Sequence, residues 1–169
     1  MSPVVFIALQ FSIIAYALVS GVFLAFSDFI MRSLAHTGGI GGVDAMQVIN
    51  REVFRWVFMT LFIGMAPVSL AIAAYGGFVV GNGPGGLLVL AGLIYFVGCF
   101  GVTVFFNVPM NETLADMDTS SAATSAYWAE TYLPRWTFWN SIRTAASSVS
   151  SALLLVGVLW MTQSQAQTV

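Results

Sequence analysis

Four stretches of this chain are each long and apolar enough to cross a lipid bilayer, and placing them leaves little of the fold free. A spanning helix needs about 20 apolar residues. The chain supplies them at roughly 4–31, 53–75, 86–107 and 136–161. Hydrocarbon offers backbone polar groups no partner, so each such segment closes its own hydrogen bonds as an α-helix. The composition points the same way: 59% of residues are hydrophobic and 7% charged, where soluble domains carry about 25% charged residues. The expected fold is all-α, an integral membrane four-helix bundle. It forms a single transmembrane domain over residues 1–169, with short helices on the cytoplasmic side.

The first run is expected to be a retained span rather than a cleaved leader. AYA at 15–17 has the small residues of a cleavage site, but MSPVV carries no basic residue and the apolar run continues to Ile30. In the second span Pro67 is expected to kink the helix by freeing the carbonyl of Ile63. Pro109 reads as the stop of the third span. The fourth runs from Trp136 to Trp160, about 36 Å at 1.5 Å per residue. Its end tryptophans are placed for an aromatic belt at the two interfaces.

Four spans put loops 33–52 and 108–135 on one side, and both termini with the GGFVVGNGPGG turn on the other. All five arginines, Arg32, Arg51, Arg55, Arg135 and Arg143, lie at or near the first side. The positive-inside rule makes that side cytoplasmic and the termini external, as in a protein of the bacterial inner (plasma) membrane. The seven acids cluster there too. DAMQVINREVF suggests a capping box of Asp44 and Gln47, with the second span starting in water and entering the membrane as one long helix. DTSSAATSAYWAETYL (118–133) predicts a helix over the bundle mouth, capped by Asp118 or Ser120 and stopped by Pro134, with Trp128 and Tyr132 at the interface.

Several functions are disfavoured at this level. The chain has no lysine and a net charge of −2, so nucleic acid is not an expected partner. Cys99 is the only cysteine, which rules out an intrachain disulfide and a CxxC motif. His36, in the glycine-rich loop LAHTGGIGG, is the only histidine and reads as a loop residue. Haem and zinc are therefore unsupported, and no metal or other cofactor is predicted. NET at 111–113 matches a glycosylation sequon but falls on the expected cytoplasmic side. Arg51, Glu52 and Arg55 read as a solvated helix start.

The spans also carry polar residues at helical spacing. Trp136, Asn140, Arg143, Ser147 and Ser151 share a face of the fourth span. Ser12, Tyr16, Ser20 and Ser27 share one on the first, and Tyr95, Cys99, Thr103 and Asn107 form a drifting stripe on the third. In lipid such faces turn toward one another, and AASSVSSA (145–152) offers small residues for close helix approach. Arg143 has two readings. One turn inside Trp139, it can snorkel to the headgroups. Alternatively it points inward to a carboxylate, with Asp28 near the same interface as a candidate partner, because an unpaired charge in the bilayer centre costs roughly 2.5–3.5 kcal/mol. Asn107 and Asn140, at one predicted depth on two helices, favour a site.

NVPMN (107–111) followed by WTFWNSIR (136–143), together with FSDFIMRSL (26–34) and MQVIN (46–50), resembles a family of small four-span membrane proteins named for the fungal anthrone oxygenases. The resemblance runs from the first span into the fourth. It implies a four-helix membrane fold and, from the characterised branch, oxidation of anthrones to anthraquinones.

For that chemistry the residues themselves suggest roles. An anthrone has an acidic carbon between aromatic rings, and its anion is electron-rich enough to react with O2. Such a site needs a base, donors for the developing oxyanion, and flat apolar walls. Asp28 or Glu112 is the candidate base, since carboxylates near lipid titrate high. Arg143 is the catalytic cation, with Asn107, Asn111 and Asn140 as further donors; Tyr16, Trp136 and Trp139 wall the ring. The expected function is thus a membrane-embedded oxidoreductase acting on a hydrophobic aromatic, anthrone- or quinone-like compound in a cytoplasm-facing polar pocket. The alternative is a non-enzymatic binder of small hydrophobes, or an accessory subunit of a membrane complex. The expected partners are the lipid bilayer and the aromatic small molecule; a homo-oligomer or partner subunit stays open.

Overall fold

A computed structural model describes residues 1–38 and 40–166, and among these it is helical with no strand. Five helices follow one another: α1 Pro3–Ala35, α2 Gly41–Glu52, α3 Val57–Val80, α4 Asn82–Ala115 and α5 Ala122–Ser164. All but α2 are long and apolar enough to span a membrane. They close into a ring in which α5 packs on α1 and α4, and α3 on α4 and α1. Large apolar side chains such as Phe11, Leu18, Phe105 and Leu159 cover the outside, the surface an integral membrane protein presents to lipid.

The polar stripes turn inward. Ser12, Tyr16, Ser20, Tyr95, Cys99, Asn107, Asn140 and Ser147 are all buried. Hydroxyls join α1 to α5: Ser20 and Ser148 share a 2.6 Å bond, and Ser151 donates to the carbonyl of Ile13 at 3.0 Å. Where α3 meets α4 the backbones nearly touch. A Cβ on Gly92 would collide with the Ser69 carbonyl, so only glycine permits the approach.

Two prolines expected to end helices do not. α4 continues through Pro109 and α5 through Pro134. Each is preceded by a wide π-type turn, Thr103–Asn107 and Trp128–Tyr132 respectively. A proline removes one N–H from the ladder. A π turn just ahead shifts the register by one residue, and the helix resumes beyond the missing donor. α3 likewise runs through Pro67.

The second span and the 41–52 segment are two helices rather than one. The chain breaks at Val53–Arg55, where Arg55 is extended (φ −75°, ψ 141°). The break has a packing cause: α2 is amphipathic and lays Val43 and Met46 across the end of the bundle, so the chain must turn to enter the membrane. Asp44 sits in the first turn of α2 and does not cap it. Gln47 staples the helix down, donating to the carbonyls of Leu114 (2.7 Å) and Met117 (3.2 Å).

The cap of α5 is Ser121, whose hydroxyl accepts from the Thr124 N–H at 3.1 Å. Asp118 instead closes a local turn, accepting from the Ser120 N–H and hydroxyl (2.9 and 2.8 Å). Those donors hold its carboxyl below the usual carboxylate range. Trp128 and Tyr132 are buried with Met46, Leu114 and Trp136 in a cluster that closes this end of the bundle.

Candidate functional site

Arg143 points into the protein. Its side chain is 4% exposed. Nη2 donates to Asn140 Oδ1 at 2.6 Å and Nη1 to Thr103 Oγ1 at 3.2 Å. The guanidinium carbon lies 4.1 Å from the centre of the Phe23 ring and 5.2 Å from that of Trp136. Such cation–π contacts are worth roughly 0.5–2 kcal/mol each and leave the charge in place. Nε has no protein partner.

No acid answers this cation. Among the described residues the one ion pair is Arg55–Glu52, 2.6 Å, on the exposed end of α2. Asp28 is exposed and forms no bridge to Arg143. The π turn Phe26–Ile30 holding Asp28 leaves none of its own five residues fully buried.

Asn140 holds the arginine in place. Its amide nitrogen donates to the Phe23 carbonyl at 2.6 Å and to Ser27 Oγ at 2.7 Å. With its nitrogen committed to α1, its oxygen faces Arg143 one turn ahead. Asn107 plays a similar part on α4, donating to the Trp136 carbonyl at 3.2 Å while its Oδ1 finds no protein partner.

Beside Arg143 lies a cavity of about 90 Å3 between α1, α2, α3, the C-terminal part of α4 and the middle of α5. Phe23, Phe26, Phe58, Phe62 and Met46 supply apolar walls; the polar groups lining it are Arg143, Thr103, Asn50 and Asn111. Asn111 is oriented by two donors. Tyr132 Oη and Trp136 Nε1 each donate to its Oδ1 at 2.8 Å. An indole N–H can only donate, so the oxygen of Asn111 faces Trp136, and its NH2 makes no hydrogen bond among the described residues. Asn50 donates to Tyr132 Oη at 3.3 Å and completes the chain.

The residues singled out in the sequence therefore separate. Arg143, Asn111 and Trp136 line the cavity, and Asn107 and Asn140 stand directly behind it. Tyr16 lies deeper, stacked on Tyr95 (4.5 Å) and bonded to Ser69 (2.6 Å). Trp139 is half-buried on the outer side of α5 and stacks on Phe106 at 3.7 Å. Glu112 is exposed, like Asp28, and neither lines the cavity. Trp136, expected in an aromatic belt, is 4% exposed inside the bundle because its N–H bonds Asn111.

Asn50, Thr103, Tyr132 and the phenylalanine walls were not singled out as site residues from sequence. Asn50 had a signal: it stands one turn after Met46 on the face of α2 that covers the bundle. Among the described residues no three of His, Cys, Asp and Glu lie close enough to share a metal ion. What the cavity offers is a mostly apolar volume with the N–H donors of Arg143 and Asn111 in its lining.

The family model described as anthrone oxygenase matches residues 51–153. The chain belongs to the anthrone oxygenase family. The matched segment contains NVPMN and WTFWNSIR, and with them Asn107, Asn111, Trp136, Asn140 and Arg143. FSDFIMRSL and MQVIN precede it. No curated protein and no solved structure matches the chain. This anthrone oxygenase family member thus carries its buried arginine and both asparagine motifs inside the segment that defines the family.

Proposed function

We propose that this protein oxidises a hydrophobic, anthrone- or quinone-like aromatic compound in the cavity beside Arg143, on the cytoplasmic side of the membrane. The observation that carries this reading is the buried guanidinium set against aromatic walls, in a cavity that Asn111 also lines. In the anthrone reaction the CH2 carbon loses two hydrogens. O2 delivers one oxygen to that carbon and leaves with the other as water, so one anthrone and one O2 give one quinone and one H2O. The negative charge that develops on the anthrone oxygen would sit near Arg143. At about 4 Å and an effective dielectric constant of about 20, that pairing is worth roughly 4 kcal/mol.

The cavity as it stands holds a few water molecules, less than a three-ring compound. Phe54, which lines its mouth and is 70% exposed, has little packing to keep it there. A substrate entering past Phe54 would displace it outward.

A second reading has an observation of its own: no carboxylate or histidine lines the cavity among the described residues. A base-free pocket suits a protein that binds a small hydrophobe without turning it over. Oxygen uptake separates the two. With an anthrone added to the protein in nanodiscs, the oxygenase reading expects uptake above autoxidation, one O2 per quinone formed, and loss of the excess in Arg143→Ala. Uptake equal to protein-free nanodiscs leaves only the binder.

A further inference from the structure

We infer that the cavity takes its aromatic ligand as an anion, with the charge on an oxygen (a phenolate, enolate or carboxylate), rather than as the neutral molecule. This rests on the reading above that the cavity is the ligand site, and adds the charge state.

Three features of the cavity lead to it. Arg143 is buried and lines the space, yet no acid stands within bridging distance of it among the described residues. Its guanidinium has five N–H donors. Two are used, on Asn140 and Thr103, and Nε is without a protein partner. The remaining polar edge is also donor-rich. Asn111 has spent its oxygen on Tyr132 and Trp136, so it presents NH2. Thr103 donates its own proton to the Cys99 carbonyl at 2.9 Å and accepts from Arg143. Asn50 is the one lining amide whose oxygen has no protein hydrogen bond. A cation with unused donors in a low-dielectric space is unsatisfied until an acceptor with negative charge arrives.

The walls choose the body of that ligand. Phe23, Phe26, Phe58 and Phe62 present ring faces and edges, with Phe58 and Phe62 parallel at 6.2 Å and Phe23 edge-on to both. A flat ring system fits such walls better than a flexible chain. Ionisation before binding also accounts for the missing base: the acidic proton leaves to water outside the cavity, and no side chain within it is needed to remove it.

Binding of two probes tests this. Anthracene-2-carboxylate and anthracene-2-carboxamide share ring and shape and differ in charge at about pH 7.5, where a carboxylate is ionised. Each is titrated by fluorescence against the wild-type protein in phosphatidylcholine nanodiscs, with empty nanodiscs subtracted. The carboxylate is expected to bind at least about tenfold more tightly than the amide. Arg143→Gln is expected to remove that preference, Arg143→Lys to keep part of it, and an equal concentration of palmitate not to displace the carboxylate. Equal affinity of the two probes in the wild type overturns the inference and leaves the aromatic pocket standing, whether or not any variant folds. A preference that survives in a folded Arg143→Gln also overturns it. Displacement by palmitate overturns the aromatic requirement, and binding of neither probe removes the pocket itself.

Discussion

Asn140 Oδ1 accepts the Nη2 proton of Arg143 at 2.6 Å while its own amide donates into α1 at Phe23 and Ser27. One side chain thus fixes the arginine and ties α5 to α1. Asn140→Ala removes all three bonds and leaves the buried guanidinium short of an acceptor. It is expected to cost about 2–4 kcal/mol, read as a lower thermal midpoint in detergent. Asn140→Asp separates position from charge. The carboxylate still accepts from Arg143 but neutralises it, so binding of anthracene-2-carboxylate should fall by about tenfold or more. Undiminished carboxylate binding in a folded Asn140→Asp would show that the charge of Arg143 is not what the ligand reads.

Asn111 is held by a network, and its effect should be conditional. Tyr132→Phe removes one of the two donors to Asn111 Oδ1 and the acceptor for Asn50. The expected loss is about 1 kcal/mol of stability. Asn111→Leu removes the other side of the same bond. The double variant should cost less than the two singles added, with a coupling of about 0.5–3 kcal/mol. Strict additivity in thermal or chemical unfolding would mean that the 2.8 Å contact carries no energy.

How far the sequence foretold this arrangement depends on which physical effect decides each feature. The four spans are written in local hydrophobicity, a property of each segment alone, and they appear where the apolar runs stand. The inward polar faces of the first, third and fourth spans follow from helical spacing, which sets Ser12, Tyr16 and Ser20, then Tyr95, Cys99 and Asn107, then Asn140 and Ser147 along the buried side of their helices. The direction of Arg143 does not follow from spacing. One turn inside an interface, a flexible side chain reaches either way, and what settles it is Asn140 being held by the carbonyl of Phe23, a partner 117 residues away. Pro109 and Pro134 misled for a related reason. The rule that proline ends a helix assumes an α register ahead of it, and here a π turn supplies another. Asp28 and Glu112 have the chemistry of a base and stand near the FSDFIMRSL and NVPMN motifs in the chain. Exposure, which no spacing rule reports, puts both outside the cavity.

Two glycines that look alike in sequence should respond in opposite ways. Gly21 in α1 has nothing within 4 Å of an added Cβ. Gly21→Ala should leave the thermal midpoint unchanged or raise it, since glycine costs about 0.5–1 kcal/mol against alanine inside a helix. At Gly92 the added carbon meets the Ser69 carbonyl and the Ala73 side chain. Both helices would have to part, at about 1–3 kcal/mol. Unfolding in a mild detergent compares them directly. A neutral Gly92→Ala would show that α3 and α4 are not in backbone contact.

The orientation of the bundle decides which compartment supplies the ligand. By the positive-inside rule the arginine distribution predicts a cytoplasmic cavity end, because four of the five, Arg32, Arg51, Arg55 and Arg135, flank the segments that close it. Cysteine labelling can read this with little background, since Cys99 is buried and should stay unreactive. Asp116 lies exposed at the cavity end and Gln163 exposed near the other end of α5. With a membrane-impermeant maleimide, Gln163→Cys is expected to label in spheroplasts and Asp116→Cys only in inverted vesicles. The reverse pattern would place the cavity outside the cell. An anionic aromatic would then reach Arg143 from the external face, and the positive-inside rule would fail for this chain despite its arginine bias.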